Sequence, residues 1–379
     1  MLDYGVVAGG PPPDVIAYGR LRDPQYAMRE RTIAPSLEAF IRRMPKVELH
    51  VHLEGSIRPE TLLDLADRNE VALPARTPAE LREWYSFQSF EHFIEVYVAA
   101  SSCIRTPEDV ERIASDFLAE QARQNVLHSE VTYTASTQRA LSGLSLDSQL
   151  EAINRARETA ERELGVTMTL TIDYPRNLDP DEFVEVAIWA ADNRSRGVTA
   201  LGLGGPEAGN PPERFRRAFE VAREAGLPAV PHAGETAGPS SIRGALDVLG
   251  AVRIGHGVRC LEDPDLVAEL RDRQVPLEVC PTSNVRLNVS PSFEEHPLPR
   301  LLDEGLFVTL NSDDPPMFET TLTDEYLKAA AAFDLNAVDV RRLVMKAAMA
   351  TLLPADPRDR LIERLERGFD MLSNNGTPC

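Results

Sequence analysis

Basic residues are scarce: 40 Lys and Arg stand against 60 Asp and Glu, leaving a net charge of −20. A field of that sign repels phosphate backbones and anionic lipid, so nucleic acid and membrane surfaces are not expected partners. No run approaches the ~18 apolar residues of a membrane span. The opening stretch, MLDYGVVAGGPPPDVIAYGRLRDP, lacks both a basic leader and a continuous apolar segment, so it does not read as a secretory signal. The four cysteines, Cys103, Cys260, Cys280 and Cys379, lie far apart and form no CxxC. That excludes a disulfide framework and a cysteine-rich metal site, and it fits a reducing cytoplasm. No GxGxxG follows the first strand-like run, which argues against a dinucleotide-binding open sheet.

What is present is a globular composition, 43% hydrophobic, ample for a large core. Residues 1–35 read as a Gly/Pro-containing extension, and residues 36–375 as one domain. Eight short apolar, β-branched runs recur: VELHVH (47–52), LHSEVTY (127–133), VTMTLTID (166–173), VTALGLG (198–204), LPAVPH (227–232), VRIGH (252–256), VPLEVC (275–280) and LFVTLN (306–311). Amphipathic helical patterns with apolar residues at i, i+3, i+4 and i+7 separate most of them. Strands alternating with helices predict parallel βαβ units, and eight units predict an α/β fold of the (β/α)8 TIM-barrel type. The long connection over residues 53–126 predicts a helical lid insertion after strand 1. Residues 320–371 predict three further helices.

Polar residues end these strands. LHVH places His50 and His52 at i, i+2, on one strand face. Strand 5 ends in His232 and strand 6 in His256, while strand 8 ends in the adjacent acids Asp313 and Asp314. An HxH pair or a DD pair is by itself an ordinary core or turn feature. Four of seven histidines at predicted strand ends are a different matter, because a barrel gathers those ends at one mouth. Three imidazoles and a carboxylate make a catalytic type of metal-ligand set. Zinc suits it, and iron or manganese also fit.

MPKVELHVHLEGSIRPETL, HAGE, IGHGVR, CPTSN and LNSDDPP, in that order, resemble the motifs of the adenosine deaminase family. The match runs from about Met44 to about Phe318. It implies a mononuclear zinc barrel that hydrolyses the 6-amino group of a purine, with one Zn2+ per subunit. By the resemblance, His50, His52, His232 and Asp313 are the zinc ligands. His256 orients the attacking water and helps to deprotonate it, and Glu235 protonates the ring nitrogen beside C6. Asp314 bonds the five-membered-ring nitrogen, and the backbone N–H of Gly205 meets the purine. Where the family often has AGDE this chain has GGPE, which makes Glu207 the looser match. Binuclear relatives bridge their metals with a lysine from a middle strand. The three lysines here, Lys46, Lys328 and Lys346, leave none between strands 1 and 8. The HxE with PCxxC pattern of cytidine deaminases is also absent, and Cys280 reads as a core residue.

Glu54 follows HxH where adenosine deaminases commonly have Asp, as in the adenine-deaminase branch, and Thr132 stands where they often have Arg. HAGETAGP and EHPLPRLL resemble actinobacterial members that act on 6-amino-6-deoxyfutalosine, an adenine nucleoside from a menaquinone route. The expected function is therefore deamination of an adenine nucleoside, with or without a 5′ substituent, and with Glu54 contacting substrate. Free adenine is the alternative. A catalytically dead purine-binding relative is disfavoured, because every expected ligand and Glu235 are present. The lid aromatics Trp84, Tyr85, Phe87, Phe90, Phe93 and Tyr97 read first as lid core. The oligomeric state stays open between monomer and homodimer.

Overall fold

The computed structural model describes residues 33–374; the expected extension over residues 1–35 lies almost wholly outside them. Eight strands form one parallel sheet in chain order: β1 (Lys46–His52), β2 (Val126–Tyr133), β3 (Thr167–Ile172), β4 (Val198–Leu203), β5 (Ala229–Ala233), β6 (Ile254–His256), β7 (Leu277–Val279) and β8 (Val308–Leu310). This is the expected (β/α)8 barrel. The three last strands are shorter than their apolar runs chiefly because each begins two residues into its run. His256 already has a left-handed φ of 59°, and Cys280 directly precedes the helix Pro281–Arg286.

The seam between β8 and β1 closes by an unusual device. The Asn311 side chain accepts the backbone N–H groups of Leu49 and His50 at 2.9 and 3.2 Å. Beyond it, Val51 and Asp313 form a parallel bridge. There the His52 N–H donates to the Asp313 carbonyl at 2.9 Å, and the Asp313 N–H donates to the His50 carbonyl at 3.1 Å. A side-chain amide thus stands in for ladder carbonyls that would otherwise leave unpaired donors at a sheet edge.

Proline marks where helices begin. Pro107, Pro180, Pro239 and Pro264 each open a helix, where a missing N–H leaves nothing unpaired. The helix Pro107–Arg123 also carries a capping box between Thr106 and Asp109. Its buried face is Val110, Ile113, Ala114, Phe117 and Leu118, the i, i+3, i+4, i+7, i+8 stripe of a core-facing helix. Burial stabilises by roughly 1.5–3 kcal/mol for each large apolar side chain.

The insertion after β1 supplies the helices Pro59–Arg68, Pro78–Trp84 and Phe90–Ser101. The last helix of the 53–126 span, Pro107–Arg123, is the barrel's own first outer helix and packs on β2. After β8 come Leu322–Phe333, Ala337–Ala350 and Ala355–Asn374, as expected. Ala337–Ala350 packs on both β8 and β1, covering the seam from outside. Among the described residues no helix is long and apolar enough to cross a membrane.

Candidate active site and metal centre

The C-terminal strand ends converge as the barrel requires. His50, His52, His232, His256 and Asp313 are all buried, and the His50 ring centroid lies 4.5 Å from that of His232 and 4.8 Å from that of His256. His52 Nε2 and His232 Nε2 are 3.2 Å apart. Asp313 Oδ1 lies 3.4 Å from His50 Nε2 and 3.3 Å from His52 Nε2. Tetrahedral bonds of about 2.0–2.1 Å set neighbouring ligand atoms about 3.3 Å apart. His50 Nε2 is buried with no hydrogen-bond partner. Facing imidazole nitrogens, an adjacent carboxylate and an orphaned ring nitrogen together fit a divalent metal.

Asp313 belongs to two buried clusters that could hold an ion. It groups with His50, His232 and His256, and also with His52 and Asp314. The expected ligands are thus divided between the two groups, with His256 in the first and His52 in the second. His256 Nε2 lies 3.8 Å from both Asp313 Oδ2 and Glu235 Oε1. His256 and Asp313 both have positive φ, 59° and 65°, backbone strain of a kind that clusters at functional sites.

Glu278 was not legible as a site residue. Its Oε2 accepts from His50 Nδ1 at 2.9 Å, which turns Nε2 towards the centre. Its other oxygen accepts from Arg253 Nε at 2.6 Å, and Arg253 Nη2 donates to Glu130 at 2.6 Å. The available signal was acids at inward positions of apolar strands, in SEVTY and LEVC.

Glu235 sits on a turn held from β4. One Glu207 carboxylate accepts the N–H groups of Gly234, Glu235 and Thr236 at 2.8–2.9 Å, together with the Ser241 hydroxyl. Glu207, the looser match in sequence, is thus a backbone clamp. Burial, followed by the charges of Asp313 and Glu207, raises the Glu235 carboxyl well above its ordinary range. Burial, with Asp313 beside it, does the same to Asp314, whose Oδ1 has no partner. Asp314 can lie there because residue 55 is glycine; a Cβ would collide with its carboxylate. Gly205 has φ +81°, a conformation that itself calls for glycine.

Next to Gly55, Glu54 accepts the Thr134 N–H at 2.9 Å and the Tyr97 hydroxyl at 3.3 Å. The Thr134 hydroxyl donates to Asp173 at 2.6 Å. Burial lifts Glu54 to about 7. The lid aromatics mostly pack on one another, Phe93 stacking on Phe318 at 5.5 Å. Tyr97 packs on Phe93 at 5.8 Å and also meets the His52 ring edge-on at 6.2 Å. Asp173, Thr134 and Tyr97 carried no motif that would single them out in sequence.

Residues 45–367 match the family model for adenosine deaminase. Aminodeoxyfutalosine deaminase of Streptomyces avermitilis is 39% identical over 342 residues, covering 89% of this chain and 95% of the relative. Adenine deaminase of Cupriavidus necator is 39% identical over 324 residues, covering 86% and 92%. A zinc-bound amidohydrolase from Burkholderia ambifaria superimposes with a TM-score of 0.83 at 27% identity, covering 90% of this chain and 95% of that one. The chain belongs to the adenosine deaminase family and is an adenosine deaminase-like hydrolase.

Proposed function

We propose that the enzyme hydrolyses the 6-amino group of an adenine nucleoside to an inosine-type product and ammonia. One zinc ion would be held by His50, His52, His232 and Asp313, in keeping with the zinc-bound relative. Zinc supplies, when bound, a water acidified to a pKa of about 7. Glu235, protonated through its burial, gives its proton to the ring nitrogen beside C6 and makes that carbon electrophilic. Such a transfer contributes roughly 10²–10⁴-fold. Asp314, likewise raised, bonds the five-membered-ring nitrogen, where one of the two partners must carry a proton. The Gly205 N–H fixes the ring, and His256 faces the attacking oxygen.

One observation carries the preference for a nucleoside. Glu54 and Asp173 both hang on Thr134, and both are buried without an ion-pair partner among the described residues. Thr134 and Tyr97 supply three donors to them, fewer than two carboxylates can accept, and buried acids are costly unless donors reach them. Ribose hydroxyls are further donors, whereas free adenine offers only its ring N–H and amino group. Similarity to the Streptomyces relative supports a 5′-substituted nucleoside such as 6-amino-6-deoxyfutalosine. The alternative, free adenine, is favoured by the equal identity to the Cupriavidus relative. Comparing kcat/KM for adenine, adenosine, methylthioadenosine and aminodeoxyfutalosine, by loss of 6-amino absorbance, decides between them. Fastest turnover of adenine rejects the nucleoside.

A further inference from the structure

A chain of hydrogen bonds runs to His256 from a backbone group whose polarity is fixed. The Leu298 N–H can only donate, and it donates to His296 Nδ1 at 3.0 Å. His296 Nδ1 is therefore an acceptor, and its proton sits on Nε2. Nε2 lies 3.1 Å from Asn284 Oδ1, so Oδ1 accepts. That orientation turns the Asn284 amide nitrogen towards His256 Nδ1, 3.3 Å away, and Nδ2 can only donate. His256 Nδ1 must then be an acceptor, which leaves the ring proton on Nε2. That nitrogen faces the gap between Asp313 Oδ2 and Glu235 Oε1, 3.8 Å from each. Asn284 and His296 are both buried, so water does not compete with the relay. Burial also holds His296 down to about 4, consistent with a neutral ring that accepts at Nδ1.

We propose that Asn284 and His296 are positioning residues that fix His256 as the Nε2–H tautomer, so that His256 donates a hydrogen bond to the attacking oxygen. With Nε2 already protonated, His256 orients that oxygen and stabilises its developing charge but does not take its proton. The neighbouring group able to accept it is Glu235, whose carboxylate is freed once its own proton has gone to the ring. One carboxyl thus gives a proton and receives one, and the count balances. This refines the role of His256 in the reading above. The tautomer itself is observable without substrate, so its failure is distinguishable from failure of the nucleoside reading.

The test is 15N NMR of the zinc-loaded protein with 15N-labelled histidine, the His256 signals being assigned by their loss in His256→Gln. The expected result is a one-bond N–H coupling at Nε2 of His256 and none at Nδ1. A proton on Nδ1, or on both nitrogens at neutral pH, overturns the proposal. Asn284→Asp presents an acceptor to Nδ1 and is expected to move the proton there. It should lower kcat by about 10²–10³-fold, the effect of losing one oxyanion donor, with KM little changed and zinc content intact. Should that variant fold poorly, His296→Gln and His296→Leu provide the second arm. Gln keeps a donor towards Asn284 and is expected to retain about tenfold more kcat than Leu. Equal kcat in that pair, or wild-type kcat in a folded Asn284→Asp, counts against the relay.

Discussion

Glu278 Oε2 accepts from His50 Nδ1 at 2.9 Å while Glu278 Oε1 accepts from Arg253 Nε. The carboxylate is thereby pinned on both oxygens, and the imidazole it holds has one orientation. Glu278→Gln presents an amide that holds His50 less firmly. Zinc affinity, measured by chelator competition, is expected to fall about 10–100-fold, the usual effect of losing such a partner. Unchanged affinity contradicts the assigned role.

Glu207 gathers three consecutive backbone N–H groups and a serine hydroxyl, and one of those N–H groups belongs to Glu235. Glu207→Ala leaves these donors unmet at a buried site. Each unsatisfied buried group costs about 1–3 kcal/mol. The expected outcome is a lower Tm together with a kcat loss at least as large as that of the folded fraction. A variant that melts like wild type shows that the clamp is dispensable.

The raised Glu235 carboxyl sets two pH dependences of definite sign. Catalysis needs the protonated acid, so activity is expected to decline on the alkaline side as that proton is lost. In the metal-free protein, folded Glu235 keeps a proton that the unfolded chain has already released above the ordinary Glu range. Its contribution to stability is therefore complete below that range and is lost as pH rises through the folded value. Glu235→Gln cannot ionise. Its metal-free form is expected to gain on wild type in denaturant midpoint as pH rises, while retaining zinc binding and losing nearly all turnover. Parallel stability curves, or substantial residual turnover, reject the protonated-acid assignment.

Asp173 is predicted to read a sugar hydroxyl. Hydrogen bonds to charged groups are worth about 1.5–3 kcal/mol, so Asp173→Asn is expected to lower kcat/KM for adenosine by about tenfold or more. A deoxynucleoside lacking the contacted hydroxyl should lose as much with wild type and little further with the variant. Additive losses across the 2′-, 3′- and 5′-deoxy series place Asp173 away from the sugar.

The barrel was legible because each strand is an apolar run and each helix a periodic stripe, patterns that survive in one dimension. The converging residues were legible because they stand at strand ends, as His232 and His256 do. What was not legible lies where partners are remote in sequence. Glu278 meets His50 across 228 positions, and Asn311 meets Leu49 across 262; nothing local in the sequence names either partner. Strand lengths in the second half of the barrel were overestimated because hydrophobicity does not report that β6, β7 and β8 start two residues into their runs. Asp173 and Thr134 are ordinary residues at a strand end, and only their shared neighbour Glu54 gives them meaning.

The most direct test strips the purified enzyme of metal, reloads it with one equivalent of zinc, and follows ammonia release from a 5′-substituted adenine nucleoside and from adenine. The stripped protein should be inactive, and a single equivalent of zinc should restore turnover. The nucleoside should be preferred by about tenfold or more in kcat/KM, the scale of one hydrogen bond to a charged group. Turnover persisting without metal, or adenine consumed faster than the nucleoside, contradicts the account.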